Sequence, residues 1–339
     1  MVLPPDELTV TVSDFYPQDV EKVDTRDEMF EQAEDLVDVV RYDPDYSLLE
    51  EKFNLGWQKI RQEASKRPNY ATPVSLAEAL KVRIITKGDP YKMAVLRSIQ
   101  KLMHSRLKRL STFAILGSPT GYQENLAEYL NIMMAKGHSS NEYLLSGDYQ
   151  GATDNLKSWA SKAAAEKICN IFGFTNDIRT LFLESLTEYE IETSEPSAKK
   201  KTYKSQTIGQ LMGSITSFPI LCIVNAALCR LAYEIDEARY NLRLYQIPLI
   251  INGDDLLMKG DHSLYGVWRE ITKLAGLSES LGKTYSSKEF CQINSTTFLV
   301  TSKTFEQVPY INMGLAKGMK RSGGNTMTRE DVDDHRKTI

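Results

Sequence analysis

The sequence predicts an α+β fold in which long amphipathic helices pack on short antiparallel strands. Three observations carry that expectation. Composition is 42% hydrophobic and 25% charged over 339 residues, ordinary for a globular chain of about two domains' length. Apolar groups recur at helical spacing across residues 46–67, 91–110 and 211–240. Finally, Leu249-Ile-Ile-Asn-Gly-Asp-Asp-Leu-Leu-Met sets an apolar run on each side of a four-residue polar tip. The positive φ angles that Asn-Gly favours would close it as a tight hairpin.

Taken in order, the first 45 residues are acidic and proline-punctuated, with helical spacing only in 36–42. Leu48, Leu49, Phe53, Leu55, Trp57 and Ile60 then offer one helical face. Pro68 and Pro73 interrupt the chain before KVRIITKG (81–88), whose alternation predicts a strand ending at a Gly-Asp-Pro turn. A basic amphipathic helix follows over 91–110, then a loop at Gly117–Gly121 and a helix from Gln123 to Lys136. Leu144 to Asp148 is a short apolar strand, followed by a helix from about Thr153 to Phe172. Residues 187–207, with Lys199-Lys-Lys201 at their centre, predict a hairpin or loop excursion. A helix at 263–275 and strands near 283–300 complete the pattern.

Several function classes are excluded or disfavoured. The composition fits no collagen-like, coiled-coil or mostly disordered chain. No run approaches the 18 apolar residues of a membrane span; the longest, Phe218 to Cys229, carries Pro219 and Asn225. MVLPPDELTV has neither the basic nor the apolar region of a secretory leader. Cys169, Cys222, Cys229 and Cys291 show no zinc spacing, so free buried thiols in a reducing compartment are expected. A net charge of −4 argues mildly against a general nucleic-acid binder, but the charge is segregated. Residues 1–52 hold 16 Asp or Glu against 4 Lys or Arg, a balance of −12, whereas 81–109 hold 9 basic residues against Asp89, a balance of +8. Such a distribution can line a positive channel on an acidic body, although a solvated helix face accounts for the same run.

The residues that carry chemistry are acidic. Asp254 and Asp255 sit together at the hairpin tip, where two carboxylates repel unless a cation lies between them; an ordinary exposed turn is the plainer reading. Asp148 leaves the 144–148 strand, and Asp154 lies six residues on, in the first turn of the next helix, where it would also serve as a cap. Strand-end carboxylates sharing two magnesium ions are what phosphoryl transfer requires, and magnesium wants few, hard oxygen ligands. Gly209-Gln-Leu-Met-Gly213-Ser-Ile-Thr-Ser217 is a glycine- and hydroxyl-rich loop opening the long helix. Its donors could approach a sugar or phosphate, or simply cap that helix.

In this order and spacing the pieces resemble the motifs of viral RNA-dependent RNA polymerases. Lys81-Val-Arg83-Ile-Ile-Thr-Lys87 looks like motif F, Asp148 to Asp154 like motif A, Gly213 to Asn225 like motif B and Gly253-Asp254-Asp255 like motif C. Lys283-Thr-Tyr-Ser-Ser looks like motif D, and Phe290 to Phe298 like motif E. The wording GDYQGATDNL, LMGSITSFPILCIVN and KTYSSKEFCQINSTTF is most similar to the ourmia-like (botourmiavirus) group, with narna-like and mito-like relatives behind.

The resemblance implies a right hand of fingers, palm and thumb over about residues 80–315. It implies fingers within 1–139 (motif F at 81–87), palm at 140–160, a fingers insertion at 161–206, palm again at 207–300, and a reduced thumb, a truncated chain or a tail at 301–339. It implies RNA-templated RNA synthesis in replicating a positive-sense viral genome, in the host cytoplasm, with RNA template, RNA product and nucleoside triphosphates as partners. Two magnesium ions, replaceable by manganese, would be held by Asp148 and Asp254 with Asp255 as the weaker partner. Lys81, Arg83 and Lys87 would grip the triphosphate. Asp154 would read the ribose 2′-hydroxyl in concert with Ser217, and Lys283 would protonate the leaving pyrophosphate. The family's motif B asparagine is four residues after the serine, where this chain has Leu221. Asn225 is eight residues after, about 12 Å along a helix, so its nucleotide contact is in doubt. A reverse transcriptase would share the carboxylates but usually carries an aromatic residue before x-Asp-Asp. A non-catalytic RNA-binding palm would be expected to have lost one of them.

Overall fold

The structure is a computed structural model that describes residues 47–78, 81–116, 127, 130–132, 142–195, 197–301 and 304–309. The expectations for residues 1–45, the 117–121 loop, most of the 123–136 helix and the region beyond 309 lie outside the described residues, as does the side chain of Lys81.

The chain begins with helix α1 (Ser47–Lys66) and a hairpin of β1 (Tyr70–Glu78) and β2 (Lys81–Gly88). Helix α2 (Pro90–Leu107) starts where Asp89 accepts hydrogen bonds from the amides of Tyr91 and Lys92, with Pro90 supplying the preset first φ angle. Strand β3 (Tyr143–Gly147) leads into the four-residue α3 (Ala152–Asn155), then α4 (Ser158–Phe172) and α5 (Asn176–Thr187). The short β4 (Glu190–Glu192) and β5 (Tyr203–Ser205) precede the long α6 (Ser217–Asp236). The hairpin β6 (Leu249–Asn252) and β7 (Asp255–Gly260), α7 (His262–Leu274), β8 (Tyr285–Ser287), β9 (Phe290–Ile293), β10 (Thr296–Thr301) and β11 (Thr304–Gln307) follow.

Among the described residues three sheets result, ordered β2-β1-β4-β5, β6-β7-β3-β8 and β11-β10-β9. The excursion at 187–207 is therefore a hairpin, and it joins the sheet of β1 and β2 rather than standing alone. The central sheet β6-β7-β3-β8 is antiparallel throughout and buried on both faces. Leu145, Leu249, Ile251, Leu256 and Met258 pack toward α6 and α7 with Trp268, Cys222 and Ile220. Their alternates Leu144, Ile250 and Leu257 pack against Cys291, Ile293 and Phe298 of β9 and β10. Side chains on a strand alternate between faces, so burial on both explains why these strands read as continuous apolar runs.

Several expectations need correction. The helix from Thr153 to Phe172 is broken at Leu156–Lys157, because the Lys157 amide donates to the carbonyl of Ala275 instead of continuing the helix. The helix expected over 211–240 runs only from Ser217 to Asp236, and 209–216 is a packed loop. The hairpin tip holds two residues, Gly253 and Asp254, not four. Strand β1, helix α5 and strand β11 were not anticipated. All four cysteines are free and buried, as expected. Among the described residues, α6 is long and apolar enough to cross a membrane by length and composition, which no window of 18 apolar residues had suggested; most of it is buried inside this fold.

Candidate active site

The site forms where β3 and the β6–β7 hairpin end side by side. Gly147 pairs with Leu256 in antiparallel register, so the next residues outward on the two strands are Asp148 and Asp255. Asp254 completes the turn between β6 and β7. Gly253 takes φ +72°, and a Cβ there would come within 2.8 Å of the Phe218 ring, so both backbone conformation and packing call for glycine.

The three carboxylates feel one another. Burial first, and then the charges of Asp254 and Asp148, push the Asp255 carboxyl up to about 6. Burial also raises that of Asp254, with Asp148 adding to the shift and the cations of Arg83 and Lys283 opposing it. Arg83 thus reaches the hairpin electrostatically from β2. Lys283 lies closer still, its Nζ 3.3 Å from Oδ2 of Asp148, on a side chain that is 72% exposed. The hydroxyl of Thr284 braces the same point, accepting from the Asp148 amide at 3.3 Å and donating to its carbonyl at 3.2 Å.

The remaining sequence-named residues are dispersed. Arg83 and Lys87 alternate onto one face of β2, where Lys87 is exposed. Asp154 is exposed in α3, whose N-cap is the left-handed Gly151 with no side-chain cap bond, so Asp154 is not the cap. Ser217 is buried and its Oγ donates to Gln210 at 2.7 Å. Gln210 in turn donates to Ser161 at 2.9 Å and its amide to the Thr153 carbonyl at 2.6 Å, tying the loop before α6 to the segment carrying Asp154. Asn225 departs furthest from its expected place. It is fully buried beneath the hairpin, and its amide nitrogen donates to the Gly253 carbonyl at 3.0 Å.

Sequence reasoning did not foresee what lies beneath the carboxylates. Tyr149, next to Asp148, donates its hydroxyl to Asn225 at 2.8 Å and accepts from the Trp268 indole at 3.1 Å. Asn294, at the left-handed β9–β10 turn, accepts from Asn252 at 2.9 Å. A tyrosine immediately after Asp148 was visible, but its partners meet it only in three dimensions.

The comparisons can be set beside this geometry. No family model matches the chain. Over 256 residues, 73% of its length, the chain is 30% identical to the RNA-dependent RNA polymerase of Ourmia melon virus (isolate Melon/Iran/VE9), and it spans 29% of that relative. The crystal structure of the RNA-dependent RNA polymerase of a human picobirnavirus superposes with a TM-score of 0.55 at 14% identity, covering 71% of this chain and 45% of the other. The fold is that of a viral RNA-dependent RNA polymerase. Within this fold, β3 and the β6–β7 hairpin are the neighbouring strands that bring the three carboxylates together.

The donor set also fits a hard divalent ion. Among the described residues, no group of three or more His, Cys, Asp and Glu side chains is gathered as a ready-made metal shell. Magnesium does not require one, since it usually keeps several waters and takes one or two protein carboxylates plus substrate phosphates. Asp148, Asp254 and Asp255 supply oxygen ligands at adjoining strand ends, where burial foremost and mutual repulsion besides raise the carboxyls of the last two.

Proposed function

We propose that this chain carries out RNA-templated RNA synthesis, joining nucleoside triphosphates to an RNA 3′-hydroxyl. One observation supports this reading above the others: Asp148, Asp254 and Asp255 converge with Arg83 and Lys283 at the ends of adjoining strands. Magnesium bound there would lower the pKa of the attacking hydroxyl and neutralise the charge that develops on the phosphates. The chain's own residues would do the rest. Asp148 and Asp254 would hold the ions, with Asp255 the weaker ligand, and Arg83, together with Lys81 and Lys87 of the same strand, would grip the triphosphate. Lys283, whose side chain is mostly exposed, would pass its proton to the departing pyrophosphate. Asp154, exposed beside the Gln210 loop, is assigned to the ribose 2′-hydroxyl. Replication of a positive-sense viral genome in the host cytoplasm belongs to the same proposal.

Primer extension by the purified chain on a short RNA template with magnesium tests it. Incorporation of ribonucleotides in preference to deoxyribonucleotides is the expected result. Asp254→Asn should abolish it while leaving the fold intact, because an amide is a poor magnesium ligand of nearly the same shape. Undiminished incorporation by that variant refutes the assignment, and a preference for deoxyribonucleotides would point to reverse transcription.

A further inference from the structure

The turn carrying Asp254 is hung from α6 by both of its backbone polar groups. The Gly253 amide donates to Cys222 Sγ at 3.3 Å, and the Gly253 carbonyl accepts from Asn225 at 3.0 Å, with the Asp254 carbonyl on the same amide nitrogen at 3.5 Å. Cys222 and Asn225 are about one turn apart, so one face of α6 meets the hairpin. Asn225 is itself held on its other side: its Oδ1 accepts from Tyr149 Oη at 2.8 Å and from Cys229 Sγ at 3.3 Å. The Tyr149 ring packs on Trp268 at a centroid distance of 5.4 Å, and the indole donates to the same hydroxyl. Cys222, Asn225, Cys229 and Trp268 are fully buried and Tyr149 nearly so. Tyr149 follows Asp148 in the chain, while Gly253 precedes Asp254. The path Asp148–Tyr149–Asn225–Gly253–Asp254 is therefore a polar tie between the backbones of two candidate ion ligands.

We propose that Asn225, through Tyr149, is a positioning residue that fixes the turn bearing Asp254 against Asp148 and so sets how tightly the carboxylates take magnesium. An amide suits the task because it donates to a carbonyl on one side while accepting a hydroxyl on the other. Buried polar groups so satisfied hold a single geometry, and partners that orient metal ligands govern affinity without touching the ion. The inference rests on the polymerase reading for its ion, and its first measurement requires no incorporation.

That measurement is the magnesium-dependent rise in melting temperature of the full chain, titrated for wild type, Tyr149→Phe and Asn225→Leu, with Asp254→Asn as the control that removes a ligand. Tyr149→Phe keeps the ring on Trp268 and loses one hydroxyl, which preserves the fold if Asn225→Leu does not. Both variants should require about tenfold more magnesium for the half-maximal shift. In primer extension at saturating magnesium, the KM for ribonucleotides and the preference over deoxyribonucleotides should stay at their wild-type values. Equal magnesium midpoints in wild type and a folded variant, or no magnesium-dependent shift in wild type, overturn the inference. So does a changed sugar preference with an unchanged midpoint, which would put Asn225 at the nucleotide. Wild type that binds magnesium but extends no primer refutes the polymerase reading alone, because the titration still decides the tie.

Discussion

Asp255 shows how much a position can say that its residue type cannot. An Asp-Asp pair at an Asn-Gly turn is legible in the sequence, but the pair alone equally describes a solvated hairpin tip. What separates the readings is burial beside a third carboxylate, which lifts Asp255 from 3.8 to about 6. In ion-free buffer the folded state therefore keeps a proton that the unfolded chain has released, so this group's contribution to stability falls as pH rises from about 4 to about 6. Asp255→Asn mimics the protonated form at every pH. The variant should match wild type near pH 4 and melt at a higher temperature than wild type at pH 7, with chelator present throughout. A difference between the two that does not grow with pH would contradict the burial argument. Asn225 is the opposite case: nothing in its neighbours along the chain indicates that its amide would be spent on the turn rather than on a nucleotide.

At the scale of elements, the sequence disclosed those whose own pattern fixes them. The apolar spacing of α2, the β2 alternation and the β6–β7 hairpin needed no partner to be recognised. Those that were missed are set by neighbours. Strand β1 contains Pro73, which reads as punctuation, yet β4 pairs with β1 only at Tyr70 and Ala71, leaving the proline beyond that ladder. The break between α3 and α4 exists because the Ala275 carbonyl captures the Lys157 amide. Contact between the loop before α6 and β2 is equally tertiary. The Gly213 amide donates to Thr86 Oγ1 at 3.2 Å, and a Cβ at Gly213 would overlap the Thr86 carbonyl. Gly213→Ala should thus push β2 and its Arg83 away from the hairpin. Destabilisation of about 1–3 kcal/mol is expected, together with a KM for nucleotides raised more than kcat is lowered. Thermal unfolding and steady-state kinetics check both, and wild-type values in each would show that the loop yields without moving β2.

Across the whole molecule, charge is the property that composition conceals. The net −4 says little, while the local excess over 81–109 falls on β2 and α2. Arg97, Arg106 and Arg109 are exposed there, while Lys92 turns inward to Glu184 at 3.2 Å and belongs to the core. If these exposed arginines on and just after α2 carry RNA phosphates, affinity should fall steeply with salt. Replacing those three arginines with alanine should reduce the slope of log affinity against log salt by about 2. An unchanged slope, measured by fluorescence anisotropy with a single-stranded RNA, would return the helix to its plainer reading as a solvated surface.

The bond between the Gly253 amide and Cys222 has one more consequence, and it concerns ageing. Asn-Gly is the dipeptide most prone to deamidation, in which the glycine nitrogen attacks the asparagine side-chain carbonyl and closes a succinimide. Here that nitrogen is bound to the thiol, and the Asn252 amide is held by Asn294. The folded hairpin thereby shields the one linkage whose decay would set an isoaspartate, with its lengthened backbone and new negative charge, directly beside Asp254 and Asp255. Chain that is stored loosened or unfolded should accumulate that lesion at Asn252, and refolding would not restore its magnesium binding. Peptide mapping for isoaspartate after equal storage in native buffer and in denaturant measures the protection, and equal rates in the two would show that the hairpin confers none.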